Sequence, residues 1–131
     1  MFNRVVIEVV PDPSGWPERL RFLVDGEDLA AGAGATGSYA HRLLPPTGPS
    51  PLDATAEGRR VVLGEATGCV GECCGFLAMS VRRAGGLVEW ADWAVPYEEA
   101  RPPALHIEAD LYDVELARAV AAYRGRTAAA G

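Results

Sequence analysis

Lysine and glutamine are missing from this 131-residue chain, and all 12 of its basic residues are arginine. Alanine, glycine and proline are abundant, so this usage reflects a GC-rich coding sequence more than a ligand. Basic residues are also outnumbered by 18 acidic ones, leaving a net charge of −6. An acidic surface repels phosphate backbones, which argues against general nucleic-acid binding. The only doubled arginines, Arg59-Arg60 and Arg82-Arg83, read as solvated strand ends. No stretch approaches the ~18 apolar residues of a membrane span. Met1-Phe-Asn-Arg runs straight into Val5-Val-Ile-Glu-Val-Val10, where Glu8 interrupts a short apolar run, so no leader is read there. The expectation is a cytoplasmic protein with no membrane attachment. Thiols are reduced in that compartment, so the three cysteines are not a disulfide framework.

The chain is long enough for one domain with its own core. Fifteen glycines and ten prolines point to many turns and argue against a helix bundle. Residues 4–10 and 19–25 alternate as strands, with Val5, Ile7, Val9 and then Leu20, Phe22, Val24 facing one way. Residues 60–67, 76–83 and 87–95 form three more, the last two joined at Ala84-Gly85-Gly86 by a turn that needs positive φ. On these strands Val61 and Leu63 share a face, as do Leu77, Met79 and Val81, and Val88 with Trp90. By the same alternation Trp93 falls on the opposite face unless a bulge resets the register. A short strand over 104–109 leads to a helix from about Leu111 to Arg124, capped by Asp110 and stopped by Gly125. Its stripe is Tyr112, Leu116, Ala119, Val120 and Tyr123. The expected fold is α+β: an antiparallel sheet of about six strands with one C-terminal helix packed on it. It is one domain over 1–126, with a disordered tail at 127–131. Residues 30–58, rich in glycine, alanine and proline, read as a long irregular surface connection pinned by Tyr39 and Leu43-Leu44.

Within that connection Gly32-x-Gly34-x-x-Gly37 matches the dinucleotide-binding pattern, but the motif needs a strand before it and a helix after it. Tyr39-Ala-His-Arg-Leu-Leu-Pro-Pro leaves no room for a crossover helix, so the match is refused.

The central hairpin, with Cys69-Val-Gly-Glu-Cys-Cys-Gly75, Val88-Glu-Trp90 and Asp110-Leu-Tyr112, resembles a family of uncharacterised small proteins from GC-rich Gram-positive bacteria. That family's pattern is C-x-C-G-x-x-G-C-G, an apolar strand, a turn and V-x-W, then a short strand and a helix with an early tyrosine. The resemblance covers roughly residues 60–124. It departs where Val70 replaces the second cysteine and Cys73 replaces a glycine, and it implies fold and bacterial provenance but no activity.

Three functional readings follow. The first is a non-enzymatic binding or interaction domain, in the style of small acidic accessory or immunity proteins. It would meet a protein partner through Trp93, Tyr39, His41 and His106. The second is a metal- or thiol-dependent protein using Cys69, Cys73 and Cys74, whose spacing suits zinc but supplies no second pair of ligands. Small thiols packing a tight loop are the plain alternative. The third is a small-molecule enzyme with a pocket under the 30–58 connection and His41 or His106 as base. His106 shares a strand face with Glu108, the arrangement of a solvated sheet edge as much as of an acid–base pair. No serine–histidine–aspartate pattern, phosphate loop or calcium loop is present.

Overall fold

The computed structural model describes residues 2–11, 17–68, 75–98 and 100–130. Strands β1 (Val5–Val10), β2 (Arg19–Val24) and the two-residue β3 (Glu27–Asp28) form one antiparallel sheet. Strands β4 (Ala35–Gly37), β5 (Arg59–Ala66), β6 (Phe76–Ala84), β7 (Leu87–Ala94) and β8 (Leu105–Glu108) form a second, in chain order. Two one-turn helices, α1 (Leu29–Gly32) and α2 (Ala40–Leu43), flank β4, and a long helix α3 (Ala109–Ala130) ends the chain. The α+β class with one C-terminal helix is as expected, but the described residues form eight strands in two sheets rather than about six in one.

Backbone hydrogen bonds stitch the sheets together at both ends. On one side Leu20 N–H donates to Ser38 O and Ala40 N–H to Glu18 O, each at 2.9 Å, beside an Arg19–Tyr39 bridge. On the other, Asn3 N–H donates to His106 O at 2.8 Å, and the Asn3 side-chain oxygen accepts from His106 N–H. The strands thus curl almost into a ring, with α3 laid across β1, β7 and β8.

Alternation on the longer strands supplies the core. Ile7, Phe22, Leu63, Leu77, Met79, Val81, Val88 and Trp90 are buried, as are Tyr112, Leu116, Ala119 and Tyr123 from α3. Trp90 sits at its centre, edge-on to Phe22 (5.9 Å), Tyr112 (6.1 Å) and Trp93 (6.4 Å). Each such pair contributes about 1 kcal/mol beyond the area it buries. Burial raises the Tyr112 hydroxyl pKa, and that hydroxyl donates to Leu52 O at 2.6 Å.

Three expectations are corrected. Trp93 is core, only 5% exposed, because β7 carries one extra residue against β6: Ser80 pairs with Ala91 but Ala78 with Ala94. Asp92 takes up that bulge at φ 54°, so tryptophans three residues apart point the same way. Residues 30–58 are not irregular throughout, since α1, β4 and α2 lie inside them. The segment after α2 is held down by Leu44 and Leu52, both fully buried, and by Arg124, which donates to Pro45 O and Gly48 O. Finally, α3 begins at Ala109, placing Asp110 in its first turn, and runs through Gly125, instead of stopping there, to Ala130.

Candidate functional site

The turn at residues 38–43 is fixed by what lies beneath it. Ser38 is buried between β2 and β5, with its N–H on Leu63 O at 2.9 Å and its hydroxyl on Val62 O at 3.3 Å. The paired Gly37 and Gly64 let the chains approach this closely. A Cβ on Gly37 would sit 1.8 Å from Leu20 O, and one on Gly64 would sit 2.5 Å from Thr36 O. Tyr39 then opens α2 in an extended conformation, φ −61° and ψ 137°. The helix is amphipathic over a single turn: Ala40 and Leu43 are buried, and His41 and Arg42 are exposed. Pro45 and Pro46 follow at once and prevent its continuation.

The outcome is a knuckle of stacked, donor-bearing side chains. The Tyr39 and His41 rings stack at 5.8 Å with 14° between their planes. The Arg19 guanidinium lies 4.2 Å from the centre of the Tyr39 ring and that of Arg42 5.2 Å from it. Arg19 is tethered further to Gly37 O (3.0 Å) and to Glu65 Oε1 (3.3 Å). Arg42 has no carboxylate at ion-pair distance among the described residues. A cation over an aromatic face gains about 0.5–1 kcal/mol at exposed sites and holds the guanidinium plane in one orientation.

The other expected residues are elsewhere. His106 lies on the outward face of β8, where its Nε2 is 3.2 Å from Glu89 Oε2, and Glu89 Oε1 is in turn 3.4 Å from Arg82. This row crosses three strands and leaves His106 apart from Tyr39 and His41. Trp93, buried, donates its indole N–H to Pro103 O at 3.1 Å and offers no exposed face. Cys69, Cys73 and Cys74 lie outside the described residues. Among the described residues no group of three or more histidine, cysteine, aspartate or glutamate side chains is placed to hold a metal ion.

A groove of about 570 Å³ does run between residues 48–53 and α3, lined by Asp53, Asp113, Leu116, Val120 and Arg124. Neither histidine lines it, nor does either line four other grooves on the described residues. Sequence reasoning singled out Tyr39 and His41 but missed Arg19 and Arg42. The i, i+3 spacing of Tyr39 and Arg42 is visible in the chain; the approach of Arg19 depends on the β2 bridge and is not.

No helix among the described residues is long and apolar enough to cross a membrane. Comparison with protein-family models, with curated proteins and with solved structures finds no match.

Proposed function

We propose that the chain is a protein-interaction domain of the cytoplasm whose contact surface is the Tyr39–His41–Arg42 knuckle with Arg19 beneath it. The observation that carries this reading is the geometry of Arg42. Its guanidinium is exposed, oriented over an aromatic ring, and without a carboxylate partner among the described residues, in a chain whose net charge is −6. Tyrosine and arginine are the side chains that most often carry binding energy at protein interfaces, and aromatic rings do so at little entropic cost. The backing of buried Ser38, Ala40 and Leu43 presents them already ordered. Charge complementarity makes an acidic peptide segment the natural partner.

The test is an array of peptides graded in acidic and aromatic content, probed with the wild-type chain and with the Tyr39→Ala/Arg42→Ala variant. Retention of acidic peptides by wild type and its loss in the variant is the expected outcome. Equal retention by both, or none by wild type, overturns the reading.

A further inference from the structure

The two arginine doublets, 22 residues apart in sequence, meet at one end of the β5–β6 pair. Arg59 pairs across the ladder with Val81 and Arg60 with Ser80, which brings Arg82 alongside. Arg59 at the rim, Arg60, Arg82 and the Ser80 hydroxyl line one groove of about 420 Å³ on the outer side of the sheet, but Arg59 shares the inward face of its pair, the buried Val81, and reaches away to the buried Ser50. The acceptors that orient the first two arginines are neutral. Arg60 donates to Asp92 O and, at 3.4 Å, to Ser80 Oγ, while Arg59 donates to Ser50 O at 3.5 Å. The bulge that turns Trp93 inward also sets the Asp92 carbonyl that Arg60 uses.

Only Arg82 of the three makes an ion pair among the described residues, a loose one at 3.4 Å to Glu89, which also meets His106. The Arg60 guanidinium therefore has no carboxylate contact among the described residues, and it has donors to spare beyond the one NH group that it uses. We infer that this groove is a binding site for a single phosphoryl group, held by the forked guanidinium of Arg60 with Arg82 and the Ser80 hydroxyl as further donors. The fork matches two phosphoryl oxygens at once, which a point charge cannot do. Glu57, Glu89 and Asp92 also line the groove, so its carboxylates at least equal its guanidinium groups in number. That balance disfavours a polyanion such as nucleic acid and limits the site to one compact oxyanion.

A phosphoryl group could arrive as free phosphate or on a phosphorylated side chain, and two arms of one experiment separate these. The full-length chain is labelled with ¹⁵N, and its arginine Nε–H and backbone amide signals are followed during titration with inorganic phosphate, then with a phosphoserine peptide. Saturable shifts centred on Arg60 and Ser80 are expected, with a Kd of about 1–10 mM for free phosphate at so exposed a site. A phosphoserine peptide that binds at least tenfold tighter identifies a phosphorylated partner; equal affinity identifies the free ion. Both results support the site. Arg60→Gln should abolish saturation, and Arg60→Lys, which keeps the charge without the fork, should weaken it several-fold. Arg21→Gln, on the other sheet, should change nothing. Shifts that never saturate, or that persist unchanged in folded Arg60→Gln, overturn the assignment.

Discussion

The knuckle and the groove both present arginine to solvent, but they hold it by different means. At the knuckle, Arg19 and Arg42 lie against an aromatic ring, and the ring is fixed by backbone contacts beneath it. In the groove, Arg60 is steered by neutral oxygens, the Asp92 carbonyl at the β7 bulge and the Ser80 hydroxyl. An aromatic seat leaves the guanidinium edge open to a peptide carboxylate; a carbonyl tether leaves the fork of Arg60 open, beside Arg82 and Ser80, to one small anion. The first arrangement should be sensitive to the backbone, the second to side chains.

The strongest way to break that contrast is a methyl group under the knuckle. Gly37→Ala places a Cβ 1.8 Å from the Leu20 carbonyl oxygen, which belongs to β2 and cannot swing aside. A cost of about 3 kcal/mol or more is expected, read from the urea midpoint. Peptide binding should fall with it, and phosphate binding by the molecules that remain folded should not. The matching change beside the groove is Gly58→Ala. There the nearest atom to the new Cβ is 3.6 Å away, so only the φ of +84° resists, at about 1 kcal/mol. If the two substitutions cost the same, the knuckle is not built on close backbone approach.

A smaller effect separates the ring from its support. Tyr39→Leu keeps apolar bulk but removes the π-face beneath both guanidinium groups. Stability should drop by no more than about 1 kcal/mol, while acidic-peptide binding should weaken clearly, because the arginines lose their orientation. A variant that binds as wild type does would reduce the aromatic seat to packing.

The sequence showed much of the frame and little of either surface, for a common reason. Long strands repeat their pattern often enough to be read. Val61 with Leu63, Leu77 with Met79 and Val81, and Leu20 with Phe22 all face inward as their alternation implies, and the helical stripe of Tyr112, Leu116, Ala119 and Tyr123 is buried. Trp93 defeated the same rule because a single inserted residue at the β7 bulge inverts every later face. Segments of three or four residues, such as β4 and α2, are shorter than any periodicity can register, so the knuckle lay hidden in what read as a loop. Nothing within either arginine doublet announces the other; their meeting is a property of the β5–β6 register.

The smallest expected effect tests the frame that both surfaces share. Glu115 of α3 accepts the outward N–H of Ile7 at 2.7 Å, and Arg118 donates to the Ile7 carbonyl at 2.7 Å and to Glu115 itself. This pair stands in for a neighbouring strand and covers the edge of β1. Burial alone would raise the pKa of Glu115, but the hydrogen bonds from Arg118 and Ile7 and the charge of Arg118 more than reverse this, so the carboxyl titrates below the usual glutamate range. The stabilisation is therefore complete above the pKa of the unfolded glutamate and is lost as pH falls through the lower folded value. Glu115→Gln should cost about 1 kcal/mol near neutral pH and flatten the acid limb of a urea-midpoint profile below the unfolded glutamate pKa of about 4.3. Since every arginine stays charged over that range, acid should lower the folded fraction without favouring one surface over the other.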